Sequence, residues 1–296
     1  MTSYRAAGTV DPSRLRLAVP NKGRLQEPTL ALLHDAGLVF EDGTRALVAR
    51  AENFPLDILF VRTEDVLEFV GDGVAELGIT GTNLLVESGA ELPVALELGY
   101  GRCRLEAAVP NDAPPRSLED LAGLRLATSH PNSARRHFEG RHIPVEIVPI
   151  SGAVEVAPRM GLADAIVDLV SSGSTLVMNG LRSVGQLYAS QAILVRQPDP
   201  APAQASLAAD LATMLESVIA GRRRKYVMMN APGAALPAIE AVLPSLESPS
   251  VIPLAHDGMV AVHAVVGADD VWGLLPRLRA AGASGILVLP VEKLLP

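Results

Sequence analysis

The sequence is poor in cysteine and aromatic residues, and its charge is acidic. Cys103 is the only cysteine among 296 residues, which excludes an internal disulfide framework and any metal site built from several cysteines. Phe, Trp and Tyr make up 3% of the chain, too few to provide base-stacking platforms. Lys and Arg number 25 against 33 Asp and Glu, which gives a net charge of −8. This balance argues against nucleic-acid binding, because duplex binders need basic surface against phosphate.

The chain also lacks a long apolar run. Hydrophobic residues make up 49% of it and the mean hydropathy is +0.28. Pro and Gly nevertheless break its charge-free stretches short of the roughly 20 apolar residues that a membrane span requires. Residues 1–13 are polar and have no apolar core of the kind found in a secretory signal. We therefore expect a loose N-terminal tail, no membrane partner and a cytoplasmic location.

Short apolar runs alternate along the chain with stretches of helical period. The run at 15–19 is followed by the loop 21–24 and by a predicted helix over 25–36, which Gly37 ends. Further strands are predicted at 56–61, 77–80, 94–98, 105–109, 124–127, 145–148 and 165–170. The pattern predicts an α/β fold with mostly parallel sheets.

The length and the turn signals suggest several domains. A chain of this size favours two or three domains, and the turn-rich segment 112–115 predicts a boundary near 111. Pro and Ala residues over 198–209 predict a linker into a helix over 207–220, ended by Gly221. The remaining residues follow the order βαββαβ, the ferredoxin-like arrangement of many small ligand-sensing domains. We expect Trp272 to pack in the core of this last domain.

The segment 155–176 carries the strongest sign of chemistry. Its strand at 165–170 holds Asp168 and runs into five residues that open the next helix: Ser171, Ser172, Gly173, Ser174 and Thr175. Backbone N–H groups and hydroxyls at such a point can bind one phosphate, and glycine allows a close approach. The preceding acid suits a sugar hydroxyl or a phosphate-bound metal ion. An ordinary capped turn remains an alternative, because Ser and Thr are favoured caps.

With its surroundings, this segment resembles the signature of the ATP phosphoribosyltransferases, the first enzymes of histidine biosynthesis. The matching positions are Glu155, Gly161, Ala163, Ile166, Asp168, Ser172, Gly173, Thr175 and Leu176. The resemblance extends to 18–25, 78–81, 225–232 and 282–287, and so covers nearly the whole chain. Two positions depart from it: Asn83 stands where an acid is frequent, and His130 where tyrosine is frequent. We therefore expect no charge-dependent role for Asn83 and no catalytic role for His130.

The resemblance implies that ATP reacts with 5-phosphoribosyl 1-diphosphate (PRPP) and that diphosphate leaves with Mg²⁺. Such a reaction depends on alignment and electrostatic stabilisation, and needs no nucleophilic side chain. Asp168 would bind the ribose hydroxyls and 171–175 the 5-phosphate. Glu155 would support Mg²⁺ or ribose, or only cap a helix. Lys22, Gly23 and Arg24, in the loop after the first strand, would bind ATP or diphosphate. A solvated surface pair is the commoner role of a lone Lys22 and Arg24 pair.

The same resemblance implies two lobes like those of type II periplasmic binding proteins and a C-terminal, ACT-like regulatory domain. The first lobe would comprise 14–111 and 192–217, the second 112–191, and the regulatory domain 222–296. This domain implies the long form of the enzyme, a homo-oligomer from dimer to hexamer that histidine inhibits. The implied histidine contacts are Asn230, Ser250 and Gly285.

Two functions of other classes fit parts of the pattern. A solute-binding protein shares the two-lobed fold, but it would carry an export signal or lipid anchor, which we do not see in 1–13. A catalytically silent amino-acid sensor would use the last domain, but it would have no need of the loop after Asp168. Formation of phosphoribosyl-ATP from ATP and PRPP would separate the three functions.

Overall fold

A computed structural model describes residues 11, 13–41, 47–243 and 248–295. These residues form two compact units, one up to Ala31 and over Leu38–Ala209, the other over Leu32–Gly37 and from Asp210 onward. Among the helices of the described residues, none combines the length and the apolar run that a membrane crossing needs. The predicted N-terminal tail lies almost wholly outside the described residues.

The secondary structure alternates strands and helices through most of the chain. The strands are β1 (Leu15–Pro20), β2 (Val48–Arg50), β3 (Leu56–Val61), β4 (Leu77–Gly81), β5 (Val94–Glu97), β6 (Cys103–Pro110), β7 (Arg125–Thr128), β8 (Glu146–Pro149), β9 (Ala165–Val170), β10 (Leu181–Ser190), β11 (Ala192–Arg196), β12 (Arg224–Pro232), β13 (Ser250–Pro253), β14 (Met259–Gly267) and β15 (Ser284–Pro290). The α-helices are α1 (Gln26–Asp35), α2 (Val66–Gly71), α3 (Thr82–Ser88), α4 (Pro131–Gly140), α5 (Ser174–Met178), α6 (Pro202–Arg222), α7 (Leu236–Glu240) and α8 (Val271–Ala280). Short 3₁₀ turns cover Glu119–Leu121, Val154–Val156 and Gly233–Ala235.

The first sheet has six strands in the order β2-β3-β1-β4-β11-β5. β1 pairs in parallel with β3 and β4, whereas β2, β11 and β5 join antiparallel to their neighbours. β1 and β4 are buried along nearly their whole length, as central strands covered on both faces must be. Their carboxyl ends meet at one edge of the sheet, where the loop before α1 and the helix α3 begin.

The second sheet has five strands in the order β10-β6-β9-β7-β8 and belongs to the same unit. β7 is parallel to β8 and β9, while β6 is antiparallel to β9 and β10. The predicted first lobe, 14–111, is therefore wrong in including β6, because this strand pairs in the second sheet. The chain passes from the first sheet to the second at Gly99 and Gly101, before the turn-rich segment 112–115. Both glycines have a positive φ.

The third sheet belongs to the second unit and has the order β13-β14-β12-β15, with all pairs antiparallel. With α7 and α8 this is the ferredoxin-like βαββαβ arrangement, so the predicted fold class is confirmed. The expectation of mostly parallel sheets is wrong, because among the described residues parallel pairing is confined to β1 with β3 and β4 and to β7 with β8 and β9. Trp272 is 92% exposed, and its predicted core position is wrong. α8 buries Leu274 and Leu278, which lie one turn apart on the face away from Trp272.

The helix α6 is longer than the sequence pattern predicts. It begins at Pro202, inside the predicted linker, because proline is tolerated in the first turn of a helix. It also continues through Gly221, which was expected to end it. A Cβ on Gly221 would lie 2.8 Å from the carbonyl oxygen of Val291 and 2.9 Å from that of Glu292. Glycine is therefore present at 221 for close backbone packing and not for a helix end.

Candidate functional site

The loop after β9 lines a cavity of about 330 Å³ in the first unit. The structure brings the predicted phosphate-loop residues together there, apart from Ser174: the lining residues are Glu155, Asp168, Leu169, Val170, Ser171, Ser172, Gly173, Thr175 and Leu176. Gly173 has a φ of +80°, a backbone conformation that residues with a Cβ adopt only with strain. The sequence therefore needs glycine where the strand turns into α5.

The hydroxyls of this loop are exposed and lie close to one another. Ser172 Oγ and Ser174 Oγ are 2.9 Å apart, and the backbone N–H of Ser174 points at Ser172 Oγ at 3.5 Å. The helix α5 has only five residues, so its dipole adds little. Hydroxyls and backbone N–H groups, and not a long helix, are the donors that this loop can offer to an anion.

Asp168 is a partly buried carboxylate that lines the cavity. Burial raises the pKa of Asp168, and the nearby charge of Glu155 raises it further, while the Leu169 N–H bond and His130 act in the opposite direction. The Leu169 N–H donates to Asp168 Oδ1 at 2.7 Å. A carboxyl group in a cleft whose pKa is raised by burial and by a nearby negative charge is typical of functional sites.

Arg24 connects the loop after β1 with the loop after β9. Its Nη1 donates to Ser171 Oγ at 2.9 Å, and its Nη2 donates to Sγ of the buried Cys103 at 2.9 Å. Lys22 is exposed in the same loop, and Gly23 has a φ of +84°. Two of the predicted sites, the cationic loop and the phosphate loop, are therefore adjacent.

The same loop contains an unsatisfied polar atom. Among the described residues, Asn21 Oδ1 is buried and accepts no hydrogen bond. The Asn21 N–H donates to the Val61 carbonyl at 2.7 Å, which fixes the backbone at the carboxyl end of β1. A buried acceptor without a partner is costly, and a bound group would relieve that cost.

Asn83 and His130 form a buried polar network between the two sheets of this unit. The Ser190 hydroxyl donates to Asn83 Oδ1 at 3.0 Å, so the Asn83 Nδ2 faces His130 Nε2, at 3.3 Å. His130 Nε2 then acts as the acceptor and Nδ1 carries the proton toward Ser129 Oγ, 3.0 Å away. Burial lowers the pKa of His130, although the carboxylates of Glu87 and Asp168 oppose the shift. This histidine is neutral at pH 7, which agrees with the hydrogen bond it accepts.

Sequence reasoning missed Glu87, which contacts the N-terminus of α4. Its Oε1 accepts from the Asn132 N–H at 2.9 Å and its Oε2 from the Ser133 N–H at 2.8 Å. The only sequence signal is that Asn83 and Glu87 are four residues apart and so share one face of α3. That spacing does not identify the partner, which lies 45 residues further along the chain.

The second unit does not bring all three expected histidine contacts together. A Cβ on Gly285 would lie 3.6 Å from Asn230 Nδ2, so these two residues are neighbours. Ser250 lies on β13, whereas Gly285 lies on β15, at the opposite edge of the four-stranded sheet. Three strand spacings of about 4.8 Å separate the two edges. A single small ligand cannot contact Ser250 and Gly285 of the same chain.

Comparison with known proteins identifies related sequences over nearly the whole chain. The family model described as ATP phosphoribosyltransferase matches residues 62–217, and the model described as HisG, C-terminal domain, matches residues 221–293. An ATP phosphoribosyltransferase of Gemmatimonas aurantiaca is 49% identical over 294 residues, covering 95% of this chain and 100% of the relative. One of Methanosarcina mazei is 39% identical over 289 residues, with the same coverage.

A solved structure extends the comparison to the fold. The ATP phosphoribosyl transferase (HisG:HisZ) complex from Thermotoga maritima contains a chain that is 29% identical, with a TM-score of 0.60. The match covers 98% of that chain and 70% of this one.

Proposed function

Because this chain belongs to the ATP phosphoribosyltransferase family, whose reaction is the first step of histidine biosynthesis, we propose how its residues bind the two substrates. The enzyme joins ATP to PRPP and releases diphosphate. The observation that carries our assignment is the cavity lined by Asp168 and the loop 171–175. It combines a carboxylate with a set of hydroxyl and N–H donors, as a phosphorylated sugar requires.

Asp168 and the loop after it bind PRPP in this proposal. The Asp168 carboxylate accepts hydrogen bonds from the ribose hydroxyls, and the donors of Ser171, Ser172 and Thr175 surround the 5-phosphate. Gly173 lets the backbone approach the phosphate without a side chain between them. Since Ser174 hydrogen-bonds Ser172 and does not line the cavity, we assign it to orienting that hydroxyl.

ATP and the leaving diphosphate bind at the cationic loop after β1. Lys22 is exposed there, and Arg24 already reaches Ser171 of the phosphate loop. Charge developing on the diphosphate as its bond to ribose breaks is stabilised by these fixed cations. The buried Asn21 Oδ1 accepts a hydrogen bond from the bound nucleotide, which supplies the partner it lacks among the described residues.

The family's reaction uses a divalent metal, and we propose Mg²⁺. Glu155 and Asp168 fit it, because both carboxylates line one cavity and the charge of Glu155 raises the pKa of Asp168. Mg²⁺ in phosphate chemistry takes one or two carboxylates and completes its shell with phosphate oxygens and water. Within the described residues no group of three or more His, Cys, Asp or Glu side chains could hold a metal, so the substrate phosphates must contribute. When bound, the metal neutralises charge on the leaving diphosphate.

We further propose that the second unit binds histidine as an inhibitor and that the chain forms homo-oligomers. Asn230, on the inner strand β12, and Gly285, on the edge strand β15, are adjacent and exposed. Ser250 can contribute to the same histidine only from another copy of the chain, since it lies on the opposite edge. The location we propose is the cytoplasm, where the substrate ATP is available.

Removal of two loop hydroxyls tests the PRPP assignment. We expect the double variant Ser172→Ala, Thr175→Val to bind PRPP at least about tenfold more weakly, because each hydrogen bond to a charged group contributes about 1.5–3 kcal/mol. Calorimetric titration with PRPP and Mg²⁺ measures this, with KM for ATP expected to stay within about twofold. Ser206→Ala, on the exposed surface of α6, is the matched control. Unchanged PRPP affinity in the double variant would refute the assignment.

A further inference from the structure

The helix α4, which follows β7 of the second sheet, takes its N-terminal cap from Glu87 of α3, the helix that follows β4 of the first sheet. Both carboxylate oxygens of Glu87, at the end of α3, accept backbone N–H groups of α4. The Glu87 carbonyl also accepts the Asn132 side-chain Nδ2 at 3.1 Å. These three hydrogen bonds join the two sheet-containing parts of the first unit.

α4 has no comparable cap of its own. Its N-cap residue is His130, which makes no side-chain capping bond, its first residue is Pro131, and its first turn contains no acid. Ser133 is 2% exposed, so in the intact protein its N–H is shielded from water and depends on Glu87 for a partner. The free N–H groups at a helix start must be satisfied, and here only Glu87 satisfies those of Asn132 and Ser133 among the described residues.

The segment that Glu87 holds follows β7, the strand that pairs with β9 next to the site. His130 immediately precedes α4 and is 7% exposed, and its ring contacts Asn83, one turn before Glu87 on α3. Thr128 pairs with Val167 at the carboxyl ends of the parallel strands β7 and β9, so His130 and Asp168, which follow these residues, lie at the same end of the sheet. α3 therefore holds, through two side chains on one face, the residue that stands beside Asp168.

We propose that Glu87 is a positioning residue of the transferase reaction: it fixes the start of α4, and thereby His130, beside Asp168. The proposal rests on the assignment of Asp168 to PRPP. Glu87 touches no substrate. Its carboxylate holds the N–H groups of α4 so that the segment at the end of β7, next to the proposed ribose site, keeps its place when PRPP binds.

Steady-state kinetics of Glu87→Ala and Glu87→Gln test this role. We expect Glu87→Ala to lower kcat/KM for PRPP by about 10- to 100-fold, the effect of a small displacement of a positioned group. Glu87→Gln keeps one acceptor oxygen and should recover part of the loss. Glu91→Ala, which removes an exposed acid three residues after α3 ends, is the matched control and should stay within about twofold of the parent.

A double-mutant cycle distinguishes positioning from a purely structural cap. If Glu87 acts through His130, Glu87→Ala and His130→Gln lower kcat/KM by less together than the product of their separate effects. Multiplicative effects, or a lower Tm in Glu87→Ala with kcat/KM unchanged, would overturn the proposal. If Glu87→Ala does not fold, Glu87→Gln decides by the same criteria. Asp168→Asn is assayed beside them, because full activity there refutes the Asp168 assignment, whereas full activity in Glu87→Ala refutes the positioning role.

Discussion

At the residue scale, the site holds charge and polarity that the fold alone would not favour. Burial raises the pKa of Asp168, and the charge of the nearby Glu155 raises it further. Asn21 Oδ1 is buried without a partner among the described residues. Each feature costs stability in the free protein, and each lies where a ribose, a phosphate or a nucleotide is proposed to bind. Strain of this kind is concentrated at functional sites.

His130 makes folding stability depend on pH. Because burial lowers its pKa in the folded protein, the unfolded chain takes up this proton first as the pH falls. Stability conferred by neutral His130 is therefore present above about pH 6.5, the unfolded value, and is lost as the pH falls below it toward the folded pKa. One such group changes the free energy of unfolding by at most about 1.4 kcal/mol per pH unit.

Urea unfolding at pH 7.5, 6.5 and 5.5 measures this effect. We expect His130→Gln to lose less stability between pH 7.5 and 5.5 than the parent does. His137, whose pKa burial and Arg141 also lower, adds a slope of the same sign to both proteins and cancels in the comparison. Identical slopes for the two proteins would show that His130 is not held neutral by burial.

At the element scale, the sequence predicts best what is local and strongly apolar. The strands at 56–61 and 165–170 and the loop at 171–175 are predicted at their observed positions, because each is a contiguous pattern. The sequence pattern does not reveal β2, because this strand has only three residues. It does not separate β10 from β11 either, because a single residue lies between the two strands. The sheet to which β6 belongs depends on long-range pairing, which periodicity does not encode.

The contacts between the site's elements could not be predicted for the same reason. Arg24 and Ser171 are both candidates from the sequence, but the 2.9 Å bond between them joins residues 147 positions apart. Glu87 was missed because its role depends on the start of α4, which lacks a cap of its own. Sequence patterns identify residues that can bind a phosphate, and the fold decides which of them share one cavity.

Two helical glycines provide a matched test of the close packing along α6. Gly221→Ala is expected to destabilise the protein by about 1–3 kcal/mol, because the added Cβ meets backbone oxygens of 291 and 292 that cannot rotate away. Gly273→Ala, in α8, meets nothing within 4 Å and is expected to stabilise by roughly 0.5–1 kcal/mol. Chemical denaturation measures both, and a Gly221→Ala protein as stable as the parent would contradict the packing described for α6.

At the scale of the whole molecule, substrate binding and the proposed histidine binding fall in different units. The cavity, the cationic loop and Glu87 all belong to the first unit, whereas Asn230, Ser250 and Gly285 belong to the second. The net charge of −8 is a property of the whole chain and does not describe the loop with Lys22 and Arg24. A change confined to the first unit should therefore alter turnover without altering the affinity for histidine.

Turnover and histidine affinity of Asp168→Asn together test the central claim most directly. Asparagine keeps an acceptor for the Leu169 N–H but removes the charge. We predict that formation of phosphoribosyl-ATP from ATP, PRPP and Mg²⁺ falls by at least about 100-fold in kcat/KM, as expected for loss of a charged substrate contact. Calorimetry should give unchanged histidine affinity, and Tm should not fall. Full turnover in this variant, or equal losses of turnover and histidine affinity, would contradict the account.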